Sequence, residues 1–145
     1  MTIKLSSLAV DLTLEREGEW VEVKEWPGLN PVKPYEAVAV PGLAFLVRST
    51  NFPAYVSARQ KALEKLKADY PNDDVPQAVA TRVDGELAVE HLLLGWRGLD
   101  VEYSAPAALE AATAEEHRAL RSMVFWCAGR VGKKQVEFTE SAAKN

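Results

Sequence analysis

One cysteine, Cys127, and two histidines, His91 and His117, are the whole supply of thiol and imidazole in 145 residues. A single thiol forms no intrachain disulfide and no thiolate pair for a metal, which suits a reducing cytoplasm. No apolar run approaches the ~20 residues that cross a bilayer, so no membrane partner is expected. The opening Met-Thr-Ile-Lys-Leu-Ser-Ser has neither a long apolar stretch nor a small-residue cleavage site, and a signal peptide is not expected. Phosphate loops are missing too: Gly95 and Gly98 fit neither the Walker spacing nor the dinucleotide fingerprint. There is no internal repeat and no low-complexity segment.

What is present is the composition of an ordinary globular chain, 48% hydrophobic and 26% charged, long enough to bury a core without staples. Net charge is −4 with a pI near 5.3, which disfavours a phosphate-binding surface. Arg59, Lys61, Lys65 and Lys67 cluster locally, but Glu64 and Asp69 are interleaved. That pattern reads as a solvated helix face and not as a nucleic-acid site.

The spacing predicts strands first and helices after. Leu8, Val10, Leu12 and Leu14 alternate at period two and predict a strand. Glu17-Gly18 then turns the chain into a second strand with Trp20, Val21 and Val23, the two forming a hairpin. Trp26-Pro27-Gly28 stops it. Pro31, Pro34 and Pro41 make Leu29–Pro41 an irregular crossing before a short third strand, Ala44–Val47. Asn51 is read as a cap and Pro53 as the first turn of a helix with the stripe Tyr55, Ala58, Ala62, Leu66 and Tyr70, widened by Val56 and Leu63. Pro71-Asn-Asp-Asp74 ends that helix and offers caps to the next, Val75–Leu94, in which Gly85 marks a candidate break. Ala105–Ala112 reads as a short helix and Thr113-Ala-Glu-Glu116 as a capping box. The last helix carries Leu120, Met123, Val124, Cys127 and Val131 on one face, with Gly129 and Gly132 at its end.

Candidates for chemistry are few, and each has a structural reading. His91, between Glu90 and Leu92, reads as a half-buried helix histidine; His117, after two glutamates, reads as exposed. Cys127 lies on an apolar stripe, where packing outweighs reactivity. Asp73-Asp74 and Glu115-Glu116 are paired carboxylates, but both stand where a helix first turn favours acids. No nucleophile has a base and an orienting group beside it in sequence. No catalytic, cofactor-binding or metal-binding residue is assigned, no cofactor is expected, and the chain is read as a non-enzyme. Trp96 and Trp126 are read as core, and Trp26, beside Pro27-Gly28, has the best claim to surface contact.

The densest stretch runs from Glu90 to Pro106. Leu92-Leu-Leu94 reads as an apolar helix end, Gly95 and Gly98 as positions where positive φ is allowed, Trp96 as an anchor, and Ser104 with Pro106 as a helix start. Together with the helix entry at Asn51, this order resembles the tail assembly chaperones of long-tailed bacteriophages. The matching residues are Arg48-Ser-Thr-Asn-Phe-Pro-Ala-Tyr55, Val89 to Leu99 with Gly95-Trp96-Arg97-Gly98, Tyr103-Ser104, Ala108-Leu109 and Leu120-Arg121. The likeness covers roughly Gly18 to Ala128. It departs from the family in the proline-rich Leu29–Pro41 and in Asp100-Val-Glu102, which lacks the Asp-Gly turn often found there.

The resemblance implies a protein of the host bacterial cytoplasm that binds the tape-measure protein, and secondarily the tail tube protein, and that leaves before the virion matures. The alternative expectation is a virion structural protein of the head–tail connector or tail-completion type. No residue is assigned to partner contact. The expected fold class is α+β in one domain, 1–145: a small antiparallel sheet of two or three strands over about 1–50, four or five helices over 51–132, and a frayed tail over 133–145.

Overall fold

A computed structural model describes residues 1–140. Its elements are β1 (Thr2–Ile3), a 3-10 turn (Leu5–Leu8), α1 (Leu12–Glu17), β2 (Glu19–Trp26), β3 (Val38–Val47), α2 (Pro53–Asp69), α3 (Gln77–Leu87), a π-helical turn (Ala88–Leu92), β4 (Leu93–Arg97), α4 (Ala105–Thr113), α5 (Arg118–Ala128) and β5 (Phe138–Thr139). The strands form two antiparallel sheets, β2-β3-β4 and β1-β5. The fold mixes helices with small antiparallel sheets, as expected, but not in the expected order of sheet first and helices after.

The segment read as a first strand, Leu8–Leu14, is instead the end of the 3-10 turn, a short link and the first turn of α1. Asp11 caps α1, its Oδ1 accepting from the N–H groups of Thr13 and Leu14 at 3.0 and 3.1 Å. Leu8, Val10 and Leu12 are exposed, so their alternation faces no core. The hairpin is formed by β2 and β3, with Trp20 opposite Leu46 and Trp26 opposite Val38. β3 therefore starts well before Ala44, inside the stretch read as irregular. Between the pairs Glu22–Ala44 and Lys24–Val40, Val23 alone stands against Pro41, Gly42 and Leu43. This bulge is what lets a proline, which has no N–H to give, sit in the central strand.

The second long helix is shorter than its pattern. It ends at Leu87, the chain widens through the π turn, and Leu93–Arg97 pairs with β3. Leu92 and Leu93 are both buried, and the Leu92 carbonyl accepts from the Arg48 N–H at 2.9 Å. The run serves an edge strand with one core face: Leu93 and Trp96 join the core while Leu94 is half-buried. Gly85 does not break α3. It lets α3 approach α4 so closely that a Cβ there would run into the Ala112 carbonyl.

Other local readings change as well. Phe52, not Asn51, is the N-cap of α2, with Pro53 in the first turn as expected. α3 starts after Pro76, with no side-chain cap from Asp73 or Asp74. In α2 the stripe Tyr55, Ala58, Ala62, Leu66 and Tyr70 is the inward face, whereas Val56 and Leu63 are exposed. There is no capping box: Thr113 ends α4, donating to the Leu109 carbonyl at 2.6 Å, and His117 precedes α5. The tail read as frayed is paired at Phe138–Thr139; its last part, 141–145, lies outside the described residues.

The core lies between the inner face of the three-stranded sheet and α5. Phe45, Val47, Leu92, Val124, Cys127 and Val131 are its largest fully buried apolar side chains. Val23, Leu93 and Trp96 complete the sheet face, and Leu87 and Ala108 join from the helical side.

Candidate functional site

The stretch Glu90–Pro106 begins in the π turn, runs through β4 and an arm, and leaves as α4, with Trp96 as its anchor. The Trp96 indole N–H donates to the Val101 carbonyl at 2.7 Å, which ties the following arm back over the ring. Tyr103 meets Trp96 edge-on, centroids 5.2 Å apart, and its hydroxyl donates to the Leu93 carbonyl at 3.3 Å. Burial pushes the Tyr103 phenol pKa up. Only one of the two glycines needs positive φ. Gly98, at φ 92°, lies against the backbone of Gly42, while Gly95 is a strand residue facing Leu46 and Trp20. Ser104 caps α4 as read, accepting from the Ala107 N–H at 3.1 Å, with Pro106 in the first turn.

Two polar groupings hold the helices, and neither was read from the sequence. Arg121, buried on α5, donates to the carbonyls of Ala112, Ala114 and Glu115, satisfying the open C-terminal end of α4. Nearby, Asp84 on α3 has its pKa raised, chiefly by burial, against the opposing pull of Arg59 and Arg121. Tyr55 is also raised, first by burial, with Arg59 pulling the other way and Asp84 adding to the rise. On the other flank, Ser49 donates from its hydroxyl to the buried Glu15 carboxylate at 3.2 Å and from its N–H to the Glu15 carbonyl at 3.0 Å.

The helical side carries several hollows, of which three combine apolar residues from more than one element. Between α2 and α3 lies a cleft of about 300 Å³ with Ala62, Leu66, Val79 and Val83 inside and Lys65, Asp69, Arg82 and Glu86 on its edges. Those edge charges pair along their own helices, Lys65–Asp69 and Arg82–Glu86, each at 3.8 Å. A shallower hollow of about 640 Å³ joins Val89 to Ala105, Pro106 and Leu109 beside Glu86 and Glu90. A smaller one, about 240 Å³, lies under the arm between Trp96, Leu99, Val101 and Leu120. None of the three presents a nucleophile with a base and an orienting group.

The chemistry-bearing residues stay apart. His91 sits in the π turn, largely covered, with Nε2 3.9 Å from Glu90 Oε2. His117 is exposed at the start of α5, its Nδ1 2.9 Å from the Ala111 carbonyl oxygen. Cys127 is fully buried, and burial pushes its thiol up to about 12. Among the described residues no three His, Cys, Asp or Glu side chains gather where a metal would be held. No helix among them is long and apolar enough to cross a membrane.

The tryptophans sort differently from their sequence reading. Trp126 is part-exposed instead of core, meeting Trp26 edge-on at 6.0 Å while the Arg130 guanidinium lies 4.6 Å from its ring. Trp26 is half-buried by that contact. Trp20 is the more exposed surface ring, with Arg97 4.7 Å above it. No family model, no curated protein and no solved structure matches this chain.

Proposed function

We propose that this chain is a tail assembly chaperone of a long-tailed bacteriophage or prophage. In this reading it works in the host cytoplasm, covers the tape-measure protein while the tail tube polymerises, and is absent from the mature virion. The order of motifs from the α2 entry through Gly95-Trp96-Arg97-Gly98 to the Ser104 cap is what suggests the family. The observation that carries the reading is the cleft between α2 and α3, with an apolar floor and edge charges already paired along each helix. A long tape-measure helix with an exposed apolar stripe needs temporary cover. A groove of this kind accepts such a stripe side-on with four of its edge charges already paired, while Glu90, which also lines it, keeps 72% of its side chain in solvent.

Co-expression with the product of a neighbouring gene encoding a very long helical protein, followed by a pull-down, tests the reading. A co-purifying complex that keeps the long protein soluble is the expected result. Mass spectrometry of purified virions separates this role from the connector or tail-completion alternative. Stoichiometric recovery of this chain from mature particles would sink the chaperone assignment.

A further inference from the structure

The β1–β5 ribbon has two unlike faces. Thr2 pairs with Thr139 and Ile3 with Phe138, and the Lys4 N–H continues the ladder to the Glu137 carbonyl at 2.8 Å. Side chains alternate across a ladder, so Thr2, Lys4, Glu137 and Thr139 share one face. There the two threonine hydroxyls meet at 2.9 Å and Lys4 Nζ lies 3.4 Å from Glu137 Oε2. The opposite face holds Ile3 and Phe138, and the same register puts Leu5 beside Val136. Leu8 follows Leu5 by three residues in a 3-10 turn, where such positions eclipse. All five apolar side chains are exposed, Leu5 at 83% and Phe138 at 59%.

A ladder this short does not hold itself in water; even a full two-stranded hairpin is marginal alone. The polar side is tied down by Ser7, whose Oγ donates to the Lys4 carbonyl at 2.7 Å and accepts from the Glu137 N–H at 2.9 Å. Nothing comparable covers the apolar face among the described residues.

We propose that a second copy of this chain covers it, the two ribbons stacking apolar face to apolar face about a two-fold axis. The five side chains expose on the order of 500 Å² of apolar surface. One partner in a standard interface buries about 800 Å², a little over half of it apolar, so the patch is the size a stable homodimer needs. A two-fold axis brings the same patch to both sides. Stacking buries no charge, because Lys4 and Glu137 pair on the other face. A self-matching apolar patch with its charges turned away fits a second copy better than a charged partner. The inference does not depend on the chaperone assignment.

Sedimentation equilibrium of the full chain, from low to high micromolar concentration, reads the association directly. The wild type is expected to be a dimer. The double variant Leu5→Glu, Phe138→Glu is expected to be a monomer with unchanged far-ultraviolet circular dichroism. A second measurement does not depend on that variant folding. Ribbons stacked face to face stand about 10 Å apart, too far for a direct disulfide but within reach of a short bis-maleimide. That reagent is expected to cross-link Ile3→Cys into a covalent dimer and not Val56→Cys, similarly exposed on α2. A wild type that stays monomeric throughout, a dimer that survives both glutamates, or no cross-link at position 3 each overturns the proposal. A monomeric wild type whose ribbon variant loses a different bound protein assigns the face to that protein and also overturns it.

Discussion

Cys127 shows what a single residue can report about this fold. It lies on the inner stripe of α5 with no exposed surface, its thiol directed at the Val21 carbonyl across 3.8 Å. Burial raises its pKa to about 12, against which Arg130 exerts only a lesser, opposite pull. A pKa raised on folding means the protonated thiol favours the folded state. That contribution is complete below the ordinary thiol range and is lost as pH rises through about 12. The native protein should therefore resist iodoacetamide at pH 8 and react promptly once unfolded in guanidinium; rapid labelling of the folded chain would contradict the burial. The stripe Leu120, Met123, Val124, Cys127 and Val131 made this residue legible in the sequence. Arg121, one position along, was not legible. Its partners are backbone carbonyls of a turn that exists only after α4 and α5 dock, and no residue pattern announces carbonyls.

Arg121 also explains how α4 ends. The sequence offered Thr113 and Glu116 as a cap for the next helix, yet the chain uses a side chain from α5 to close the previous one. Arg121→Met keeps much of the apolar stem but leaves three carbonyls unmet, at a cost of about 2–3 kcal/mol. For a chain of this length that lowers the melting temperature by roughly 5–10 °C. Arg121→Lys should recover only part of the loss, since one ammonium cannot span three carbonyls as a planar fork does. A thermal melt of Arg121→Met indistinguishable from wild type would show that α4 ends without this contact. The misread elements share a physical cause. Leu8–Leu14 alternates like a strand, but Asp11 supplies a helix cap and the apolar residues find no facing layer. Leu92-Leu-Leu94 continues a helical pattern, but Leu92 closes the π turn and the chain extends from Leu93, where the free edge of β3 takes up its backbone groups. Local pattern decides an element only where tertiary contact agrees with it, as in α2 and α5.

For the whole molecule, the consequence of β4 is that sheet and helices cannot be parted at residue 50. The strand edging the sheet comes from between α3 and α4, and the inner sheet face rests on α5. Phe45 and Val47 from the first fifty residues share one cluster with Leu92, Val124 and Cys127 from the rest. The sequence shows the ingredients of that core in its apolar spacing. It does not show that a strand would be recruited from the helical part, because pairing across some fifty intervening residues leaves no local trace. The clefts were equally hidden: the α2 stripe is readable, but how far α3 stands off from it is set by packing. Unfolding should accordingly be one cooperative transition. Trp20 and Trp26 lie in the sheet, Trp96 in β4 and Trp126 on α5, so fluorescence samples both parts while circular dichroism follows the helices. The two midpoints in guanidinium should coincide. A fragment spanning 51–140, deprived of β2 and β3, should lose the native helical signal, because its α5 and β4 would expose the face that Phe45 and Val47 now cover. A fragment that kept a cooperative melt near the wild-type midpoint would mean that the helices form a self-sufficient unit with the sheet as an accessory.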